Sequence, residues 1–271
     1  MNDITRFLKE DLDEIGDITS NALFTNEQTK GKIIAKNDCI LAGLSEAIQV
    51  FSKTGAELVP FKKDGDIVET NTIIAEIKGS IKSILSGERL ALNILGRMSG
   101  IATVTNDLVT KCRKINPEIE IAATRKTTPG FRKYEKKAVE IGGGSSHRMG
   151  LYDAFMIKDN HLKMIGSIEK AVALIQNKND GKIVEIEVET EKDAITAARQ
   201  QVDVIMLDNF PSKKAFEITK IIRKINPSIM IEVSGGITPE NIVEYASFPN
   251  RISLGYITHT IRNIDFSLEL E

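Results

Sequence analysis

A chain of 271 residues, 41% hydrophobic and 27% charged, has material for one large α/β domain or two smaller ones. Its formal net charge of -2 excludes a global positive field of the kind that recruits nucleic acid, so any basic patch must be local. No apolar run reaches the roughly 18 residues that span a bilayer, and the first seven residues lack the apolar core of a signal peptide.

Cys39 and Cys112 match no metal or redox spacing, which points to reduced, packed thiols and a cytoplasmic protein. The chain opens on a helical pattern (Ile4, Phe7, Leu8, Leu12) that runs to about residue 24, with a turn at Gly16-Asp17. Between residues 31 and 84 short strands are expected at 32–35, 40–42, 57–61 and 73–78, with a helix over 45–54 and a tight turn at Asp64-Gly65-Asp66. Ser86 is the expected N-cap of a long helix ending near Arg113. Leu90, Leu92, Ile94, Leu95, Met98, Ile101 and Val104 cover so much of its surface that burial between two domains or two subunits is implied.

After this helix the rhythm changes. Strand-like runs at 119–124, 155–157, 183–189, 202–207, 229–233 and 252–254 alternate with helical stretches at 134–141, 167–176, 191–200, 213–225 and 239–245. Such alternation implies a parallel sheet wrapped by helices, and six or more units favour a closed barrel. The absence of a Gly-x-Gly-x-x-Gly after a first strand weakens a dinucleotide-binding alternative.

In a βα barrel the residues at the C-terminal strand ends form the active site. Here those ends are Thr124-Arg125-Lys126, Lys158-Asp159-Asn160, Asp208-Asn209 and Ser234-Gly235-Gly236, with Gly255 and His259 after the last. The alternation of 184–189 puts Glu185, Glu187 and Glu189 on the inward face, a costly arrangement unless cations or hydrogen bonds compensate. Arg125, Lys126, Arg132, Arg148 and Lys158, with His147 and His161, form a basic cluster suited to a small, multiply anionic ligand. The last two strands end in small residues whose amides can cradle a phosphate. Taken singly, each feature also fits a solvated loop pair, a packed core histidine, an edge strand or a helix cap. Their coincidence at strand ends implies one mouth for a phosphorylated sugar, a metal and a polyanionic co-substrate.

These residues resemble the quinolinate phosphoribosyltransferase family over essentially the whole chain. The strings that carry the likeness are Glu10-Asp11-Leu12 with Gly16-Asp17-Ile18-Thr19, Gly87-Glu88-Arg89 and Ser99–Thr103, then Thr124–Gly130, His147-Arg148 and Ile157–His161. Met206–Asn209, Ser234–Gly236 and Thr258-His259 complete them. The resemblance implies an N-terminal α/β sandwich over residues 1–106, including the linking helix. An incomplete, roughly seven-stranded α/β barrel follows over 107–271, its tail returning to the first domain. It implies decarboxylating phosphoribosyl transfer from 5-phosphoribosyl 1-pyrophosphate to quinolinate. Arg89, Arg125, His147, Arg148 and Lys158 would hold quinolinate, Arg89 reaching in from the partner of a homodimer or of a hexamer built from dimers. Lys126, Glu187 and Asp208 would be catalytic and serve the phosphoribosyl donor, with Mg²⁺ on Glu187 and Asp208 directly or through water. Ser234, Gly235, Gly236, Gly255 and His259 would complete the phosphate site. Two departures stand out: Ser145-Ser146 where the family usually has Asn before His-Arg, and no Gly near Asp13-Glu14. The alternatives are a nicotinate phosphoribosyltransferase or a molybdenum-transport-associated homologue of the same fold, and a non-catalytic anion-binding protein.

Overall fold

The computed structural model describes residues 3–271. The elements in chain order are α1 (Asp3–Leu12), α2 (Ile18–Leu23), β1 (Gln28–Ala35), β2 (Cys39–Ile40), α3 (Leu44–Thr54), β3 (Glu57–Pro60), β4 (Ile67–Val68) and β5 (Ile73–Ser80). They continue with α4 (Ile81–Arg113), β6 (Glu120–Ala123), α5 (Arg132–Ile141), β7 (Phe155–Ile157), α6 (Asp159–Ile165), α7 (Ile168–Gln176), β8 (Val184–Val188) and α8 (Glu191–Ala198). The last are β9 (Val204–Asp208), α9 (Ser212–Ile225), β10 (Met230–Ser234), α10 (Ile242–Tyr245), β11 (Arg251–Leu254), α11 (Tyr256–His259) and β12 (Phe266–Leu270). Two compact units result. One holds the residues up to Asn106 with 140–143 and 261–271, and the other holds 107–139 and 144–260.

The first unit is built on an antiparallel sheet in the order β12-β1-β5-β3. The late strand β12 pairs with β1 from Gly31↔Leu270 to Ala35↔Phe266. β5 runs directly into α4, which therefore starts five residues before the expected cap. Ser80, not Ser86, accepts the Ser83 amide (3.1 Å) and so does the capping, while Ser86 lies inside the helix. Along α4 the side chains of Ile84, Leu95, Met98 and Ile101 are fully buried. Gly100 is needed in mid-helix because an added Cβ would lie 2.3 Å from the Arg262 carbonyl oxygen. Ser99 substitutes for a neighbouring strand: its hydroxyl accepts the Ala42 amide (3.0 Å) and donates to the Ala42 carbonyl (3.1 Å). Thr103 likewise accepts the Ile40 amide at 2.9 Å.

The second unit carries a six-stranded, all-parallel sheet in the order β6-β11-β10-β9-β8-β7. Where about seven strands were expected, Ser145 adds one isolated parallel bridge to Ala122 beside β6. The segment cannot extend into a strand because His147, two residues on, takes a left-handed backbone (φ 51°). Side chains alternate across the sheet. Ile186, Val188, Ile205, Leu207, Ile231, Val233 and Ile252 are buried as one apolar layer, while Glu185, Glu187, Met206, Asp208, Glu232 and Ser253 share the other face. Glu189 falls past the end of β8 and is exposed, so two of the three expected inward glutamates point inward. The helix expected at 239–245 shrinks to α10, because Asn241 caps back onto the Thr238 amide (2.9 Å) and holds Pro239-Glu240 in a turn. Both cysteines are buried free thiols, and burial pushes each up to about 11.

Ser99→Ala strips the buried Ala42 amide of its acceptor, and unfolding by urea is expected to show a loss of about 1–3 kcal/mol. An unchanged midpoint would mean that water or the backbone takes over the bond.

Candidate active site

A cavity of about 660 Å³ opens where β6, β9, β10 and β11 end, within the range of small-molecule sites. Every residue expected to hold the substrates or the metal lines it except Arg89, which is exposed on α4, while Arg132, Asp159, Asn160, His161, Glu185 and Glu189 of the expected mouth fall outside the lining. The sheet explains the convergence: each strand contributes its last inward side chain and the first residues of the loop that follows.

One side of the cavity is cationic. Arg125 follows β6 and keeps a buried guanidinium Nε with no hydrogen-bond partner among the described residues. Arg148 sets its Nη2 3.0 Å from Met156 Sδ, a weak acceptor, and its Nη1 3.5 Å from the Ala154 carbonyl. Burial and the nearby Arg125 charge lower the proton affinity of Arg148 below the usual arginine value. Two partly buried arginines facing each other make a surface that an anion would relieve. Lys158, after β7, pairs with Glu187 on β8. Its backbone amide is fixed by His161 Nδ1 at 2.9 Å, so His161 caps α6 and lies outside the cavity lining.

The opposite side is acidic and glycine-rich. Asp208 ends β9, and its carboxyl is raised above the usual range by burial and then by Glu187, against the pull of Lys158. The Glu187 and Asp208 carboxylates, with Lys158 nearby, are a hard-oxygen donor set, and Mg²⁺ would suit that set on charge and ligand type. Gly235 has a φ of 83°, and a Cβ there would sit 2.3 Å from Asn209 Oδ1. Gly255 admits both His259 and Lys126, whose side chains would lie 2.8 and 2.9 Å from an added Cβ. Thr258 ties this corner together, its hydroxyl donating to the Lys126 carbonyl at 2.8 Å.

Below the cations lies a buried charge network that the strand-end pattern did not reveal. His147 Nε2 stands 3.2 Å from Glu232 and 3.4 Å from Glu185, both carboxylates almost fully buried. Arg251 joins from the next strand, 3.2 Å from Glu232 and 2.9 Å from Glu120. Burial alone would lower His147, but its hydrogen bonds to Glu185 and Glu232 and their charges push it up to about 9. The Arg148 amide sits 2.7 Å from Nδ1, a contact between adjacent residues in the left-handed turn. Two buried carboxylates outweigh it in setting the ring's charge, since attraction in the interior is little screened. Burial works against the Glu232 charge, yet His147 and Arg251 hold its carboxyl low, while burial and Glu232 raise Glu185. The histidine and two glutamates have the spacing of a metal-ligand set, but Arg251 already supplies the balancing charge. His147 thus lines the cavity with its ring committed downward. Glu232 and Arg251 were legible only as alternating polar positions within β10 and β11.

Family models match nearly all of the chain. The quinolinate phosphoribosyl transferase C-terminal domain matches residues 101–269, and the N-terminal domain of the same family matches residues 17–99. The probable carboxylating nicotinate-nucleotide pyrophosphorylase of Archaeoglobus fulgidus is 42% identical, with 94% of this chain and 98% of that protein covered. The human carboxylating nicotinate-nucleotide pyrophosphorylase is 35% identical over 87% of this chain and 80% of its own length. Among solved structures, the nicotinate-nucleotide pyrophosphorylase of Francisella tularensis superposes with a TM-score of 0.92 at 36% identity, covering 99% and 94% of the two chains. Human nicotinic acid phosphoribosyltransferase shares only the fold, at 10% identity and a TM-score of 0.61 over 99% and 74%.

Removing the imidazole takes away the partner of Glu185 and leaves Glu232 with Arg251 alone. His147→Ala is expected to lower unfolding stability by about 3–5 kcal/mol at neutral pH. Because the folded-state value lies above the ordinary 6.5, the stabilisation is complete below 6.5 and fades as pH rises through about 9. Denaturant titrations of both proteins from pH 6 to 10 should converge at the alkaline end; a gap independent of pH would refute the charged-ring account.

Proposed function

The chain belongs to the quinolinate phosphoribosyltransferase family, and we propose from its geometry how the residues of the cavity divide the work. The reaction itself is transfer of the phosphoribosyl group from 5-phosphoribosyl 1-pyrophosphate to quinolinate, with decarboxylation. It yields nicotinate mononucleotide, pyrophosphate and carbon dioxide.

The observation that carries the residue assignment is the unpartnered, buried Nε of Arg125 facing the half-buried Arg148. Such donors suit the two carboxylates of quinolinate, a planar dianion that guanidinium forks grip two bonds at a time. Lys158 adds a third cation, and Arg89 is assigned to the site of a partner subunit in a homodimer or an assembly of dimers. His147 supports this wall from below. Ser234, Gly235, Gly236, Gly255 and His259 are assigned to the 5'-phosphate, which the amides of two glycine-rich turns can meet at close range.

Glu187 and Asp208 would hold Mg²⁺, directly or through water. When bound, the ion neutralises the pyrophosphate leaving group. Lys126, exposed beside Gly255, supplies a further charge to that group as the C1–O bond breaks. Positive charge then develops on the ribose, and Glu187 and Asp208 stabilise it electrostatically. The pyridine nitrogen attacks C1, and the ribosylated ring becomes cationic. The adjacent positive nitrogen stabilises the electron pair left on C2 when the C2 carboxylate departs as carbon dioxide, and that pair then takes a proton. The chain's contribution is mainly positioning and charge compensation. The Lys158–Glu187 pair couples the two halves, because Lys158 would be available to the acceptor wherever Glu187 served the metal instead. No helix among the described residues is long and apolar enough to cross a membrane, and the two reduced cysteines support a cytoplasmic setting.

A parallel assay with phosphoribosyl pyrophosphate, Mg²⁺ and either quinolinate or nicotinate tests the acceptor. Carbon dioxide and product are expected from quinolinate alone, and chelation of Mg²⁺ should stop turnover reversibly. Arg148→Ala is expected to weaken quinolinate binding by about 100-fold while leaving the donor within about threefold. Equal losses in calorimetric titrations of the two ligands would remove Arg148 from the acceptor side.

A further inference from the structure

Lys136 lies on α5, a helix whose Arg-Lys-Tyr-Glu-Lys-Lys start reads as a solvated face, yet it is only 1% exposed. Among the described residues no carboxylate pairs with it. The charged groups around it are Arg132 on its own helix, Arg125, Arg148 and Asp153, so three of four neighbours repel it. A buried ammonium in such company opposes folding unless its hydrogen bonds are needed.

Those bonds go to two backbone carbonyls, Ala123 (3.2 Å) and Ser146. Ala123 closes β6 and leads into Thr124-Arg125, while Ser146 leads into His147-Arg148. The two segments pair by backbone bonds only as far as Ser145, through Ala123 N–H to the Ser145 carbonyl (2.9 Å) and Ser145 N–H to the Ile121 carbonyl (2.8 Å). One residue further, two carbonyl oxygens converge, and acceptors cannot pair with each other. An ammonium, with three donors and no acceptor, bridges them. A methionine side chain of similar length has no donor to offer either carbonyl.

Resting on the acceptor-site reading above, we infer that Lys136 is a positioning residue of the dicarboxylate site: its ammonium staples the Arg125 segment to the His147-Arg148 segment and adds positive charge behind both. The function of the staple is to hold two guanidinium groups at a fixed separation while the substrate is absent and they repel each other. Burial, with Arg132 and Arg125, lowers Lys136 to about 8. A bound dianion reverses that bias, so the complex carries more protons than the free enzyme between about pH 8 and the ordinary lysine value of 10.5. Quinolinate affinity therefore falls as pH rises through this window, and binding there takes up a proton.

Two measurements test the inference. Lys136→Met keeps the stem and removes the ammonium. It is expected to raise the quinolinate Kd about tenfold or more, keep the phosphoribosyl pyrophosphate Kd within about threefold, and flatten the alkaline fall in quinolinate affinity. Losses shared equally by both ligands, or an unchanged pH profile, would overturn it. Should the variant not fold, calorimetry of unmodified enzyme with quinolinate at pH 8.5, in buffers of different ionisation enthalpy, decides the matter. Uptake above half a proton is expected, since His147 alone can contribute no more than about a quarter there, and uptake at or below that quarter refutes Lys136 as the titrating group. Arg125→Ala separates the two levels: if it leaves quinolinate binding intact, the acceptor site itself is misassigned. If it weakens binding while Lys136→Met does not, only the staple fails.

Discussion

Charge inside the parallel sheet has to be balanced on the spot, and that constraint organises the second unit. Glu185 and Glu232 are buried where water cannot reach them, and they persist because His147 and Arg251 stand within about 3.4 Å. Removing either partner would leave an uncompensated buried charge, which is far more destabilising than never having had the pair. This fixes the loop after α5: to reach both carboxylates, His147 adopts the left-handed backbone that ends the Ser145 bridge. Arg148, the next residue, is thereby directed to the mouth. The acidic floor and the basic wall are one construction.

The same logic extends to the opposite side of the cavity. Glu187 is paired by Lys158, and Asp208 is left with a carboxyl that burial and Glu187 both raise. A protein built for stability alone would not gather these groups. Their arrangement is stable enough only because every charge has a neighbour of opposite sign or a route to water, and the substrates of the family reaction bring the missing signs. Ligand binding then completes an electrostatic balance that folding leaves open.

Much of this was legible in the sequence, for identifiable reasons. The strands of the sheet follow from short apolar runs at regular spacing, and the strand-end residues follow from the rule that such sheets carry their chemistry there. Glu187, Asp208, Lys158 and the Gly235 and Gly255 turns were all readable in this way. Glu189 was misplaced because alternation does not say where a strand stops. Lys136 was hidden for the opposite reason: on a charged helix face, nothing in periodicity distinguishes one buried lysine from exposed Lys133 and half-buried Lys137. Ser86 drew the helix start away from Ser80, since a strand that continues straight into a helix leaves no turn residues to read. Glu232 and Arg251 are polar residues inside apolar strands, and only the third dimension shows that they meet.

The pairing of β12 with β1 has a consequence for how the polypeptide comes to be assembled. During synthesis β1 emerges early, but its partner at Phe266–Leu270 is made only after every strand of the parallel sheet. Until then one side of β1 is an open edge with unsatisfied amides and carbonyls, the kind of surface that recruits other nascent chains. The unit whose strands come first in the chain is therefore the last able to complete its sheet, since it waits for β12.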